Sequence, residues 1–328
     1  MRWVVTGGAG YIGSHVVVAL LKAGIEPVII DDLSSGHESF IPEGVTFVRG
    51  SLLNIDTLRT AFRDQVDGVI HLAGFKYAGE SVSRPLHAYE QNVTATLNLL
   101  RVMEETDVKN YVFSSSASVY GTPSEAAVTE TSDTHPESPY GETKLIGEWL
   151  MVDQVKARAL RATALRYFNV VGSGSPQLGD TSPHNLFPLL FKALSEGRTP
   201  HVNGVDYDTP DGSCVRDYVH VVDIAQAHVA AAQKLSAGVS LERIYNLGAG
   251  IGTSVLEIMT AAATVTGHSF DPEILPRRAG DPARIVASGE LAARDLGWAN
   301  THPITQMIES AWAFWTSAHP VDLRGKIS

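Results

Sequence analysis

The chain opens on the apolar run Trp3-Val4-Val5, passes through a glycine-rich stretch, and then places Ile12, Val16, Leu20 and Leu21 at helical spacing. Further apolar runs at 27–30, 45–48, 68–72, 110–114 and 162–165 alternate with helical patterns. Near-continuous apolar strands are buried on both faces, and helices between them predict a parallel sheet with right-handed crossovers. The fold class is therefore α/β, a doubly wound parallel sheet of the Rossmann type. After Tyr167 the texture changes. Stretches 172–183 and 204–212 are rich in turn residues, and helical patterns at 186–196, 255–266 and 304–316 alternate with short strands. We read a large domain at 1–167 and a smaller C-terminal α/β substrate lobe at 168–328, with about 217–234 returning to the large domain.

A length of 328 residues accommodates one large or two adjoining domains. The net charge of -11 argues against nucleic acid and against an anionic membrane surface as partners. Any anionic ligand must then be held by a local cluster of donors. The single cysteine, Cys214, excludes an internal disulfide framework and fits a reducing compartment. No window approaches the roughly 20 apolar residues of a membrane span. The run at 3–5 is broken at once by Gly7, Gly8 and Gly10, so it does not read as a signal peptide, and the cytoplasm is the expected location.

Thr6-Gly7-Gly8-Ala9-Gly10-Tyr11-Ile12-Gly13 lies between the first strand and the first helix. Gly7, Gly10 and Gly13 suit a tight turn, close backbone approach to a pyrophosphate and close helix–strand packing, while the helix N-terminus presents free N–H groups to the anion. Asp31 ends the second apolar run, where a carboxylate binds the adenosine ribose hydroxyls and repels a 2′-phosphate. Neither Asp32 nor Leu33 supplies a compensating cation, so the expected cofactor is NAD rather than NADP.

Tyr140-Gly141-Glu142-Thr143-Lys144 opens a helix behind Pro139. Positions four apart share one helical face, so the phenol and the ammonium reach one cavity. Lowering a tyrosine pKa from about 10 to near 7 needs roughly 4 kcal/mol of differential stabilisation. A neighbouring ammonium and the positive nicotinamide ring are the sources. Ser114, Ser115 and Ser116 follow the fifth apolar run at the carboxyl edge, where a hydroxyl can hydrogen-bond the substrate oxygen that loses its proton.

Taken together these residues resemble the extended short-chain dehydrogenase/reductases and, among them, the UDP-glucose 4-epimerase family. The resemblance spans nearly the whole chain. It rests on GGAGYIGSH from Gly7, HLAG from His71, FSSSASVYG from Phe113, SPYGETKL from Ser138, LRYFN from Leu165, VRDYVHV from Val215 and YNLGAG from Tyr245. It implies that Ser116, Tyr140 and Lys144 are catalytic. Gly7, Gly10, Tyr11, Ile12, Gly13, Asp31, Leu52, Ala73, Lys76, Asn92, Ser114 and Tyr167 are implied to surround NAD together with Tyr140 and Lys144. Lys76, Ser116, Tyr140, Asn169, Asn185, Leu186, Asn203, Arg216, Arg278 and Asp281 are implied to hold a UDP-sugar. The arginines also make chemical sense, since guanidinium forks suit a diphosphate.

The implied activity is reversible interconversion of UDP-galactose and UDP-glucose through a transient 4-keto sugar and tightly bound NAD. The family's homodimer implies a four-helix interface from helices at about 85–105 and 140–156. Three positions depart from the family's pattern. Ser51 replaces an acidic residue near adenine, Asn203 replaces an aromatic on which uracil can stack, and Ile285 stands where the sugar pocket is gated. The bulk of Ile285 favours unsubstituted hexoses.

A 4-epimerase for an N-acetylhexosamine, pentose or hexuronate UDP-sugar is the alternative within enzymes. A 4,6-dehydratase would need an Asp-Glu pair beside Ser116, which Ala117-Ser118 does not offer. A non-catalytic NAD-binding regulator is the rival from another class, and such a protein would lack the Tyr140–Lys144 pair. His15, His71 and His220 have no zinc-like spacing, so no metal is expected.

Overall fold

The computed structural model describes residues 1–278 and 281–320, and the end of the expected second lobe lies outside the described residues. The first half alternates strand and helix. Strands β1 (Arg2–Thr6), β2 (Glu26–Asp31), β3 (Thr46–Arg49), β4 (Gly68–His71), β5 (Asn110–Ser116) and β6 (Arg161–Tyr167) are separated by helices. These are α1 (Tyr11–Lys22), α2 (Ile55–Ala61), α3 (Ala78–Ser83), α4 (Pro85–Tyr89), α5 (Ala95–Glu105) and α6 (Pro139–Arg158). The helix expected at 85–105 carries a π-helical stretch, Glu90–Thr94, between α4 and α5. Ser114, Ser115 and Ser116 do not follow the fifth strand but form its last residues, paired with Leu165, Arg166 and Tyr167.

The second half runs β7 (Asn169–Val171), α7 (Leu186–Ser195), β8 (His201–Asn203), β9 (Val215–His220) and α8 (Val221–Ser236). Then come β10 (Ile244–Leu247), β11 (Gly252–Ser254), α9 (Val255–Thr266), β12 (Glu273–Leu275), β13 (Arg284–Ile285), α10 (Glu290–Leu296) and α11 (Ile304–Ala318).

The large sheet has seven strands in the order β3-β2-β1-β4-β5-β6-β10, all parallel. The chain leaves β1 toward β2 and β3, then returns to the far side of β1 for β4. That reversal puts the topological switch point at the carboxyl ends of β1 and β4, where such sheets bind ligands. One face is covered by α1, α8 and α10, with Trp3, Val5, Leu20, Ile29 and Tyr245 fully buried. The other is covered by α2, α5 and α6 around Val4, Leu58, Leu99 and Tyr111. Each fully buried large aliphatic contributes roughly 1.5–3 kcal/mol, and together they make the sheet a rigid platform.

A smaller sheet centres on β9. It pairs in parallel with β7 and β13 and antiparallel with β11, while β8 and β12 form a separate pair. Helices α7, α9 and α11 pack around Phe187, Phe191, Ile258 and Trp315 to form this lobe's own core. The chain crosses between the lobes repeatedly. Helix α8 leaves β9 to pack on α1, β10 then joins β6, and β11 goes back to β9. After β13, helix α10 packs on α8 and β10, and α11 ends against α7 and α9.

Candidate active site

The glycine loop is shaped by what a side chain would strike. Gly7 sits at φ +72°, and a Cβ there would lie 2.7 Å from Ala73 N on the neighbouring strand's loop. A Cβ on Gly13 would lie 2.0 Å from the Gly7 carbonyl. Gly10 caps α1 with no side-chain hydrogen bond, so first-turn N–H groups face the cavity without a side-chain partner. A backbone cradle without side chains at a helix N-terminus is what a dinucleotide pyrophosphate requires, so these residues fit NAD. At the end of β2, Asp31 accepts hydrogen bonds from Ala9 N (3.0 Å) and Leu33 N (2.8 Å). Burial pushes its carboxyl up, and these two amides work against that.

The loop after β4 is the opposite wall. Thr6 Oγ1 accepts from Leu72 N and Ala73 N, both at 3.2 Å. Asn92 lies in the π-helical stretch, where an extra residue turns its side chain off the helix line, a feature that recurs at functional sites. Its carboxamide accepts from Phe75 N (2.6 Å) and donates to Phe75 O (3.0 Å) and Thr143 Oγ1 (2.8 Å). Asn92 therefore braces the wall bearing Lys76 rather than lining the cavity itself.

Helix α6 begins at the floor of the cavity. Ser138 caps it by accepting from Gly141 N (3.2 Å), and Pro139 occupies the first turn. A Cβ on Gly147 would lie 2.3 Å from the Phe113 ring, so glycine lets α6 press closely on β5. Lys144 Nζ then donates to the Ser114 carbonyl at 2.9 Å and sits 5.8 Å from the centroid of the Tyr140 ring. Burial pushes the Lys144 ammonium down to about 8, against the favourable field of Glu148. Burial also pushes the Tyr140 phenol up, with a hydrogen bond to Ser116 acting the other way. Tyr167 OH and Ser114 Oγ share a short hydrogen bond beside them.

One cavity of about 990 Å³ joins these walls. Of the expected cofactor residues, Gly7, Gly10, Tyr11, Ile12, Gly13, Asp31, Leu52, Ala73, Lys76, Ser114, Tyr140, Lys144 and Tyr167 line it. Ser116, Asn169, Asn185, Leu186 and Arg278 line it from the sugar-nucleotide set. Arg216, Asp281 and Asn203 of that set stand behind the lining, and so does Ile285. Arg216 donates to Asp281 Oδ1 at 2.7 Å and to the Val215 carbonyl at 2.9 Å. The Asn203 carboxamide oxygen, turned toward Arg278, accepts from its Nε and Nη2, both at 3.2 Å. Ile285 packs with Ala117, Phe168 and Ala287 in a buried cluster and does not line the cavity, so its expected gating contact is absent from this surface.

Sequence reasoning missed Asp180 and Tyr77. Asp180 lines the cavity from the turn-rich loop 172–183, accepting from Asn185 Nδ2 (2.7 Å) and Ser182 N (2.9 Å). Its carboxyl is pushed up by burial, and the Lys76 charge is among the influences that lower it. Tyr77 lines the wall opposite and packs edge-on to His184 at 4.8 Å. The signal for Asp180 was present in the one acidic group of a loop otherwise built of small residues. Among the described residues no cluster of three or more His, Cys, Asp or Glu side chains is arranged to hold a metal. No helix among them is long and apolar enough to cross a membrane.

Comparisons with known proteins converge on one family. The model of the NAD dependent epimerase/dehydratase family matches residues 3–248. A UDP-glucose 4-epimerase of Halalkalibacterium halodurans is 43% identical over 326 residues, covering 98% of this chain and 97% of that protein. The crystal structure of a UDP-glucose 4-epimerase from Brucella ovis in complex with NAD superposes with a TM-score of 0.90 at 39% identity, covering 95% and 98% of the two chains. That of the Bifidobacterium longum enzyme in complex with NAD⁺ and UDP gives 0.88 at 37% identity, covering 96% and 98%.

Proposed function

This chain belongs to the NAD dependent epimerase/dehydratase family, and we propose from that premise how its residues interconvert UDP-galactose and UDP-glucose by inverting C4 of the hexose. One observation carries the assignment of roles. Ser116, Tyr140 and Lys144 line one cavity that runs from the glycine loop, past Asp31, to Arg278.

The backbone at Gly7–Gly13 would hold the pyrophosphate of NAD, Asp31 the adenosine ribose, and Leu52 the adenine end. Ala73, Lys76, Ser114 and Tyr167 would hold the nicotinamide end, and Asn92 braces the loop that bears Ala73 and Lys76. NAD, when bound, would supply the hydride chemistry that passes the hexose through a transient 4-keto form, together with a positively charged ring.

Tyr140 takes the proton from the 4-hydroxyl and later gives it back. Ser116 hydrogen-bonds that oxygen and orients it. Lys144, fixed by the Ser114 carbonyl, stabilises the phenolate with its charge. Arg278, which lines the cavity, would hold the diphosphate with Asn203 orienting its guanidinium, and Arg216, paired with Asp281 behind the lining, would add its charge to that side of the site. Asn169, Asn185 and Leu186 shape the hexose side. The division of labour anchors the nucleotide firmly and leaves the sugar free to present either face. Residues 1–167 thereby carry the cofactor and the lobe from 168 onward carries the sugar nucleotide.

The partner we assign is a second copy of the chain. Leu86 is 83% exposed on α4 and Trp149 is 58% exposed on α6, and these two helices pack against each other. An apolar patch of this kind on paired helices suits a symmetric interface. Light scattering after size exclusion should give twice the mass of 35.2 kDa, with Leu86→Glu returning it to one chain. We assign the enzyme to the cytoplasm, where the buried thiol of Cys214 stays reduced.

The direct test incubates the purified protein with UDP-galactose without added cofactor and follows UDP-glucose by chromatography. Conversion to a mixture supports the reading with retained NAD. Absence of conversion even after NAD is added, on this and other UDP-sugars, defeats it. The same assay on UDP-N-acetylgalactosamine measures how strictly the hexose side excludes a bulkier substituent.

A further inference from the structure

Tyr140 and Lys144 are two of three side chains on one face of α6. The third, four residues further on, is Glu148. It is almost fully buried and is not part of the cavity lining. Both its oxygens are taken. Oε1 accepts from Ser115 Oγ (2.5 Å) and Arg166 Nε (2.8 Å), and Oε2 accepts from Arg166 Nη2 (2.6 Å). Ser115 and Arg166 are register partners on β5 and β6, flanked by Ser114 and Ser116 on one strand and Tyr167 on the other. Arg166 Nη1 extends the network to Tyr120 OH (2.9 Å), which donates to Asn246 Oδ1 (2.7 Å) on β10.

A buried ion pair of this kind adds little net stability compared with apolar residues of the same volume, because desolvation offsets the attraction. Its value must be sought in what it positions. We propose that Glu148 is a positioning residue for the reaction: with Arg166 and Ser115 it locks the first half of α6 to the ends of β5 and β6, and its carboxylate keeps the Lys144 ammonium charged. The inference rests on the reading of the site given above.

Lys144 has no carboxylate in hydrogen-bond contact, and its ammonium donates only to the Ser114 carbonyl. Glu148 is one helical turn away on the same face. The other titratable groups near Lys144 are Tyr140 on its own helix, Tyr167 on β6, whose phenol burial pushes up, and His71 on β4, which burial keeps neutral. Arg166 on β6 is the cation in bidentate contact with Glu148 and shares that carboxylate with Lys144. The carboxylate of Glu148 is therefore the anion that offsets the desolvation of Lys144.

The test measures kcat against pH for wild type, Tyr140→Phe, Glu148→Gln and the paired variant Glu148→Met/Arg166→Met. Melting temperature and bound NAD are read on every sample. The paired variant replaces both charges with apolar side chains of similar reach, so it retains the packing even if Glu148→Gln, which strands Arg166, does not fold. We expect kcat at neutral pH to fall about tenfold or more, with KM within about twofold of wild type. We expect the alkaline limb to move to lower pH by about one unit. An unmoved alkaline limb with kcat within twofold of wild type in a folded variant overturns the proposal while leaving the site reading intact. Normal turnover by Tyr140→Phe overturns both.

Discussion

The carboxamide of Asn92 satisfies both backbone groups of Phe75, its oxygen accepting from Phe75 N at 2.6 Å and its nitrogen donating to Phe75 O at 3.0 Å. The third bond, to Thr143 Oγ1, ties the same carboxamide to the catalytic helix. A single side chain thus couples the wall bearing Lys76 to the turn bearing Tyr140 and Lys144. Asn92→Ala leaves the Phe75 peptide without partners, and each unsatisfied buried group costs about 1–3 kcal/mol. We expect NAD affinity to fall about tenfold or more, measured by titration calorimetry on the stripped protein. Unchanged affinity would show that the loop holds its shape without the brace.

Lys144→Met should separate catalysis from stability. Burial lowers the Lys144 pKa to about 8, against about 10.5 in the unfolded chain. Between those values the unfolded state holds more protons, so this group makes stability rise with pH across that window. At pH 7 the native state carries the whole cost of burying the charge. Methionine removes that cost. Turnover should therefore drop below about one hundredth of wild type, while the melting temperature at pH 7 holds or rises by a few degrees. A marked fall in melting temperature would show that the bond to the Ser114 carbonyl outweighs the desolvation.

The buried histidines dictate how the protein responds to acid. His15, His220 and His228 are pushed down to about 4, and His71 to about 3, in each case mainly by burial. Protonation of His15 would break the bond that Nε2 accepts from Gly174 N, while the bond from Nδ1 to Tyr11 O works the other way. Folded-state pKa values below the unfolded value of about 6.5 mean that the stability is present above 6.5 and is lost as pH falls toward 4. Each histidine contributes a slope of up to roughly 1.4 kcal/mol per pH unit in that window. Asp217, pushed up to about 6, opposes them, as do Asp31 and Asp180, whose carboxyls burial also raises. Urea unfolding at pH 7, 6 and 5 should show a steep decline. A flat profile would mean that these rings protonate without unfolding the chain.

Gly13→Ala tests the cradle without touching any polar group. A methyl would meet the Gly7 carbonyl at 2.0 Å, so the loop must open. Purified variant should retain less than a tenth of the wild-type NAD, judged from the absorbance ratio at 260 and 280 nm. Full retention would refute the role of that close approach.

Strands β1, β2, β4, β5 and β6 were legible because each is buried on both faces and reads as an apolar run, whereas β3, at the sheet edge, is only partly covered. That Tyr140 and Lys144 line one cavity was legible because their spacing is a helical turn. Other features leave no mark in a local pattern. Strand β10 carries the YNLGAG stretch, but nothing in four residues says that they pair with β6, some eighty positions earlier. The π-helical stretch at Glu90–Thr94 keeps the apolar spacing of a helix, so its effect on Asn92 shows only in space. The arrest of Ile285 behind the cavity lining depends on β13 pairing with β9, a contact made across most of the second lobe. Ser115 was read with its neighbours as one polar edge. The alternation of β5 instead sends its hydroxyl to Glu148, on the face that α6 covers.

The repeated passage of the chain between the two sheets sets a limit on engineering. No single cut releases either lobe as an unbroken peptide, because β10 and α8 are contributed to the large sheet from within the segment that builds the small one. Transplanting the sugar-nucleotide lobe onto another cofactor scaffold therefore needs several simultaneous splices. Swapping specificity is better attempted through the loops at 172–183 and 276–278, which face the cavity without carrying strands of either sheet.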